Sequence, residues 1–286
     1  MKFEQIKYEE KERIATITMN QPEKLNAFSG IMMKEMVEAL DRADENDEVR
    51  VVIVTGAGRA FCAGNDLGSG GFEYVDVLSA EKRTAETHRD DGGILSLRIY
   101  DLKKPVIAAI NGHAVGIGIT MTLPMDIRIV ADQAKMGFVF VRRGIILEAC
   151  SNWFLPRIVG IGRAVELAIT GRIFSALEAQ QYGLVHAVVP KEEVLPRAKE
   201  FAQEIIRNTS AVSVALQRQL LWRMLGESHP LESHKIESRC LFHIGQGPDS
   251  AEGVKSFLEK RPPNFTMKPS KDMPSFYPWW ENPPFD

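Results

Sequence analysis

Lys104-Pro105-Val106-Ile107-Ala108-Ala109-Ile110-Asn111-Gly112-His113-Ala114-Val115-Gly116-Ile117-Gly118 is the stretch on which the reading of this chain turns. From Pro105 to Met125 there is no Asp, Glu, Lys or Arg, and the run reaches the ~20 residues of a membrane helix. Asn111, Gly112, His113, Gly116, Gly118 and Pro124 interrupt it, however. A strand at Val106–Ile110, a Gly-rich turn and a buried helix therefore fit better than a membrane span. The same theme recurs on either side, in a buried strand at Val51–Thr55 that runs into a second Gly-containing turn and in a strand at Ile127–Val130. Strands alternating with helices predict an α/β architecture.

Further out, a hairpin is expected at the N-terminus, with strands near Phe3–Tyr8 and Ile14–Met19 around a charged turn at Glu10–Glu12. Met33, Met36, Val37 and Leu40 have the spacing of one helix face, and Ser29 is available as its N-cap. Gly68–Gly93 begins Gly-rich and turns polar, which predicts a mobile loop and short helix over a site. Ser175-Ala176-Leu177-Glu178 is a capping-box pattern placing a helix before Gly183 and a strand at Val185–Val189. Lys191 to about Lys260 reads as helical. The Pro- and aromatic-rich segment after Arg261 cannot be helix, and its Trp279, Trp280, Phe276, Tyr277 and Phe285 predict packing along another surface such as a second subunit. Three segments are expected: a core over 1–200, a helical region over 201–262 and the tail over 263–286.

Composition bounds the function. The chain has 286 residues, 44% of them hydrophobic and 26% charged, and 35 Lys plus Arg against 38 Asp plus Glu leave a net charge of −3. That balance lacks the basic excess of phosphate-backbone binders, so nucleic acid is not an expected partner. Cys62, Cys150 and Cys240 are odd in number and far apart, which fits neither a disulfide framework nor a CxxC metal pair. The N-terminal MKFEQIKYEEKER has no apolar h-region, so a cytoplasmic location is expected rather than secretion. Phosphate loop, HExxH and GxSxG motifs are absent. The GAGRAF turn at Gly56–Phe61 fails the dinucleotide fingerprint because Phe61 occupies its third glycine position.

Two Gly-containing turns carry the chemistry: Phe61-Cys62-Ala63-Gly64-Asn65-Asp66-Leu67, and Asn111 to Gly118. Each ends an apolar strand and can aim free backbone N–H groups at one point, as an oxyanion hole requires. The blocks GAGRAFCAGNDL, KPVIAAINGHAVGIG, TGRIFSALEAQQYGLVHAVVP and VKSFLEKRPPNF, in this order over roughly Met1–Phe265, resemble the crotonase superfamily of enoyl-CoA hydratases and isomerases. The resemblance implies a spiral of ββα units, a C-terminal helical region, and trimers that often pair into hexamers. It implies an acyl-CoA thioester as substrate and no other cofactor or metal.

Carried over by position, the oxyanion hole falls on the N–H groups of Asn65 and Ile117, beside Ala63, Gly64 and Gly116. The CoA contacts fall on Lys24, Leu25 and Ala27, and on Phe257 and Lys260 reaching a neighbouring subunit's nucleotide. Hydratases of this kind place two glutamates on one water, because hydration needs a base for the water and an acid for the α-carbon. Those positions read Thr120 and Phe140 here. A different carboxylate, Glu148, follows in RGIILEACSNWFLP (143–156), similar to the peroxisomal type of Δ3,Δ2-enoyl-CoA isomerase, in which that glutamate is the base. Its apolar neighbours would raise its pKa. Trp153 and Phe154 are read as core or pocket wall, and Phe140 and Trp153 are expected among the substrate contacts.

The resulting expectation is a Δ3,Δ2-enoyl-CoA isomerase with one carboxylate, Glu148. The competing readings are hydration or another crotonase-type reaction using Glu148, a non-catalytic acyl-CoA-binding protein, and a purely structural Glu148, favoured by a helix dipole or paired with Arg142, Arg143 or Arg157. His113 is read as a turn residue, Asp66 as bonding within its own loop, and Cys62 and Cys150 as small apolar fillers.

Overall fold

The computed structural model describes residues 3–66, 84 and 86–285. Ile6–Lys11 (β1) and Ile14–Met19 (β2) form the antiparallel hairpin, with Lys11 paired to Ile14. Glu12 and Arg13 both take positive φ (54° and 65°), as the central residues of a two-residue hairpin loop do. The first strand thus starts and the turn falls later than the charge pattern suggested. Ser29 caps Gly30–Glu45 (α1), accepting from the Met32 N–H at 3.2 Å, and α1 buries Met32, Met33, Met36, Ala39 and Leu40.

From there the chain lays successive strands into alternate sheets. Val51–Gly56 (β3), buried at every position, leads to Ala60–Cys62 (β4). The helix Asp91–Asp101 (α2) follows, then Val106–Ile110 (β5), His113–Val115 (β6) and the single helical turn Ile117–Thr120 (α3). Ile127–Ala131 (β7) and Lys135–Gly137 (β8) repeat the pair. Ser151–Val159 (α4), Ile161–Thr170 (α5), Ile173–Ser175 (β9), Ala176–Gln181 (α6) and Ala187–Val189 (β10) complete the two sheets. The six-stranded sheet has the order β1-β2-β3-β5-β7-β10 and the four-stranded sheet β4-β6-β8-β9. This is the expected spiral, in which β3, β5 and β7 lie in one sheet while β4, β6 and β8 lie in the other. Ser175 caps α6 through the Glu178 N–H as the capping box predicts.

Pro105–Met125, the stretch of membrane-helix length, is resolved into β5, β6 and α3. Among the described residues no helix is long and apolar enough to cross a membrane. Most of the Gly68–Gly93 loop lies outside the described residues. Its end is not loop but the start of α2, where Asp90 accepts from the Gly92 and Gly93 N–H groups.

The helical region is Val194–Asn208 (α7), Ala211–Met224 (α8), Pro230–Gly245 (α9) and Pro248–Glu259 (α10). The boundary expected at residue 200 falls inside α7, which packs on β3, β5 and β7 and so belongs to the core. The second boundary, at 262, divides one small core. Val212, Leu216, Leu220 and Cys240 of α8 and α9 bury together with Met267, Met273, Phe276, Tyr277 and Trp279 of the tail. The tail, expected to pack along another surface such as a second subunit, thus covers its own chain's helices. Asp249 Oδ1 accepts from the Thr266 and Met267 N–H groups (2.7 and 3.1 Å), and Arg239 and Arg223 stack over Phe276 and Trp280 at 4.0 and 3.8 Å.

Candidate active site

The site begins where two short parallel strands end together. Strands β4 and β6 pair in parallel, Cys62 opposite Ala114, so the turns that follow them emerge side by side. Carboxyl ends of neighbouring parallel strands are where α/β folds offer backbone to a ligand. Gly64 and Gly116 have φ of 108° and 58°, which a side chain would strain. The turns are also close: a Cβ on Gly64 would come 3.3 Å from the Val115 carbonyl oxygen, and one on Gly116 would come 3.7 Å from the Gly64 Cα.

Phe28 and Asp66 close a bridge around Asn65. The Phe28 N–H donates to the Gly64 carbonyl at 2.8 Å and the Asp66 N–H to the Phe28 carbonyl at 2.9 Å. The Asn65 N–H between them has no acceptor among the described residues, and neither has that of Ile117, the first residue of α3. Two unspent donors on adjoining turns match the requirements of an oxyanion hole.

Glu148 lies in the turn before α4 and reaches α3, where the Thr120 hydroxyl donates to its Oε1. It is not a first-turn helix residue, because α4 starts at Ser151. Nor does it pair with Arg142, Arg143 or Arg157. Arg142 bonds the Thr170 carbonyl, Arg143 the Arg142 carbonyl, and Arg157 the Trp153 carbonyl while stacking on that ring. Burial, reinforced by the nearby Asp90 carboxylate, pushes the Glu148 carboxyl up to about 8, against the opposing Thr120 hydrogen bond. Gly92, in the first turn of α2, makes room: a Cβ there would lie 2.0 Å from Glu148 Oε2 and 2.6 Å from Ile117 Cδ1. The Ile117 side chain, larger than the glycine of many crotonases, thus finds its space against a glycine of α2.

This architecture agrees with comparisons to known proteins. Residues 9–268 match the family model described as enoyl-CoA hydratase/isomerase. The chain belongs to the enoyl-CoA hydratase/isomerase family. Among the relatives of this family member, the enoyl-CoA hydratase ACTT3 of Alternaria alternata is 46% identical over 88% of this chain and 82% of its own. The 1,2-epoxyphenylacetyl-CoA isomerase of Escherichia coli is 34% identical over 89% and 95%. The crystal structure of an enoyl-CoA hydratase from Bacillus anthracis superposes with a TM-score of 0.82 at 32% identity, covering 92% of this chain and 99% of that one.

Within this enoyl-CoA hydratase/isomerase fold, most residues singled out from sequence gather around the two turns. Lys24, Leu25 and Ala27 flank the first: the Ala63 N–H donates to the Leu25 carbonyl at 3.1 Å, and Lys24 Nζ lies 3.0 Å from Asp66 Oδ2. Asp66 therefore carries an ion pair besides its place in the loop. Phe140 is buried, its Cζ 4.0 Å from where a Gly116 Cβ would stand. Trp153 joins an aromatic cluster with Phe154, Tyr100 and Trp222, at ring distances of 4.8, 5.7 and 6.4 Å. Phe257 and Lys260 are exposed at the end of α10, which packs on α9 and is not brought to the turns. A cleft of about 720 Å3 between α9 and the tail shares no residue with the turns.

His113, expected in a turn or in packing, is instead the exposed first residue of β6, while Cys62 is the buried filler expected. His113 Nδ1 accepts from the Lys135 N–H at 3.0 Å, and Cys62 is fully buried, its thiol pushed up to about 12 by burial. Sequence reading missed Asn26, Asp90 and Gly92. Asn26 is fully buried with φ of 55°, and its amide donates to the Ala57, Ala60 and Phe61 carbonyls (2.9, 2.9 and 3.2 Å), pinning the Lys24–Ala27 segment to β4. An asparagine, which tolerates positive φ, between Leu25 and Ala27 was the available signal. Asp90 also accepts from the Ala149 N–H at 2.7 Å, tying α2 to the Glu148 turn. An aspartate before the apolar run of α2 is an N-cap signal hidden by the polarity of the preceding loop.

Proposed function

We propose that this family member is a Δ3,Δ2-enoyl-CoA isomerase working with a single carboxylate base. The observation that carries the proposal is the pairing of Glu148 with Thr120, a hydroxyl in the place where hydratases of this family have a glutamate. With Phe140 in the other glutamate position, Glu148 is the carboxyl that reaches α3 beside the two open N–H groups. Glu148 takes the C2 proton of a 3-enoyl-CoA thioester, and the electron pair shifts onto the thioester oxygen. The Asn65 and Ile117 N–H groups hold that oxyanion. As the enolate collapses, the double bond moves to C2–C3 and the protonated Glu148 delivers the same proton to C4. The reaction is a redox-neutral 1,3-shift, so the CoA thioester enters as substrate and no further cofactor is called for.

Hydration is the second reading, favoured by the printed names of the Alternaria relatives. Turnover of a short 3-enoyl-CoA and, separately, of a 2-enoyl-CoA by wild type and Glu148→Gln distinguishes the two. Isomer formation with negligible hydration, lost in Glu148→Gln while CoA binding persists, is the expected result. Efficient hydration by wild type, or an active Glu148→Gln, would overturn the assignment. Binding without any turnover would leave the acyl-CoA-binding reading.

The proposal extends to assembly. Ile146 and the α5 residues Ile161 and Ile169 are exposed large apolar side chains, as are Leu241 and Phe242 of α9 and Phe257 and Leu258 of α10. Exposed apolar side chains in different parts of one chain suit a heterologous interface that closes into a ring. The homotrimer or dimer of trimers inferred from the family would let Phe257 and Lys260 reach a neighbour's CoA. Mass measurement in solution tests this.

A further inference from the structure

Glu148 has a second carboxyl group beside it that the single-carboxylate reading leaves without a task. Asp90 precedes α2, and both of its oxygens act as acceptors. Oδ1 takes the Gly92 N–H at 3.1 Å, and Oδ2 takes the Gly93 and Ala149 N–H groups at 2.8 and 2.7 Å. That is the bond pattern of a carboxylate, and its three donors are backbone groups that cannot turn away. Ala149 is the residue after Glu148, so the clamp also sets the turn from which the Glu148 side chain projects. Gly92 stands between the two carboxyl groups: its N–H donates to Asp90 Oδ1, and a Cβ on it would lie 2.0 Å from Glu148 Oε2.

Among the described residues, the remaining surroundings of Glu148 offer no countercharge. From α3 comes the Thr120 hydroxyl, from β4 the buried Cys62 thiol, and from its own turn the Cys150 thiol. Both thiols are pushed up by burial and stay neutral at physiological pH. Asp90 is thus the charged group facing Glu148 among the described residues.

We propose that Asp90 is the positioning residue of the Glu148 base, a carboxyl clamped by three backbone N–H groups at the Glu148 turn, which accepts the Glu148 O–H once the proton has been taken. The two carboxyl groups then have fixed and unequal tasks. Glu148 cycles between its two forms, while Asp90 stays in place and returns the proton to no one. During the 1,3-shift the proton leaves C2 for Glu148, rests in the Glu148–Asp90 hydrogen bond, and goes back to C4. This inference rests on the reading of Glu148 as base.

The test compares wild type with Asp90→Asn and Asp90→Ser. Asparagine and serine both cap helices well, so each keeps the start of α2 while removing the charge. Two readouts are taken: the pH profile of kcat/KM for 3-enoyl-CoA, and the Glu148 carboxyl titration by infrared difference against Glu148→Gln, which needs no turnover. Both variants should lower the Glu148 titration and the acid limb of the profile by about one pH unit or more. The rate above the limb should fall with little change in KM. A loss of rate or of thermal stability with limb and titration unmoved would reduce Asp90 to a helix cap and overturn the proposal. An active Glu148→Gln would instead remove the base reading, and the infrared titration would still decide whether Asp90 acts on Glu148.

Discussion

Gly92→Ala separates the chemistry of this site from its stability. The added methyl would stand 2.0 Å from Glu148 Oε2, 2.6 Å from Ile117 Cδ1 and 3.1 Å from Ala149 Cβ. Real Cβ atoms essentially never come within 3.0 Å of another heavy atom, so the Glu148 carboxyl oxygen must retreat by about 1 Å. A misplacement of about 1 Å in a catalytic group costs roughly 10²-fold in rate. The two closest atoms are the free ends of side chains that can turn aside, and Gly92 has an ordinary helical φ. Alanine also favours helix over glycine by up to about 1 kcal/mol. Isomerase activity should therefore drop about 100-fold in kcat/KM while the urea midpoint stays close to that of wild type. The assay pairs initial rates on a short 3-enoyl-CoA with equilibrium unfolding of the same preparation. Full activity in a folded Gly92→Ala would refute the placement of Glu148 against α2.

The Glu148 carboxyl is raised from 4.5 to about 8, and the base proposed for it acts only when deprotonated. Wild-type kcat/KM should rise about tenfold per pH unit below that value and level off above it, and a limb near 4.5 would show an ordinary carboxylate. The same shift is linked to stability. Between 4.5 and about 8 the folded state holds a proton that the unfolded state has released, so stability falls as pH rises through this window. Glu148→Gln should flatten that dependence in thermal melts and be the more stable protein above pH 8. Thr120→Val removes the hydrogen bond that lowers Glu148, so it should move the rate limb upward, opposite to the Asp90 variants. A limb that stays or falls in Thr120→Val would contradict the Thr120–Glu148 contact. Buried Arg218 bonds Asp126 Oδ2 at 2.8 Å and the carbonyls of Ile99, Tyr100 and Leu102, holding α8 to the end of α2. Arg218→Ala should cost about 3–5 kcal/mol in urea unfolding, because Asp126 and those carbonyls lose their buried partner.

The sequence by itself determined an α/β architecture and the two glycine turns, and its resemblance to a family supplied the spiral. Strands β3 and β5 are short apolar runs of the kind that only a two-sided core accepts, and the glycines that end β4 and β6 are read directly because no other residue takes their φ freely. Glu148 was singled out by the resemblance to the crotonase family, which also puts Thr120 and Phe140 at the hydratase glutamate positions, while its apolar neighbours alone suggested a raised pKa. Tertiary structure alone decided what surrounds it. Asp90 and Glu148 are 58 positions apart, and whether two such carboxyl groups meet depends on how α2 packs against the turn before α4. The same holds for Gly92, whose missing side chain matters only because Glu148 and Ile117 converge on it, and for the tail, whose aromatic residues could have covered any apolar surface. Periodicity and turn chemistry act over a few residues and are written locally. Burial, electrostatic coupling and the choice of packing partner depend on which distant segments come together, and only the folded chain fixes that.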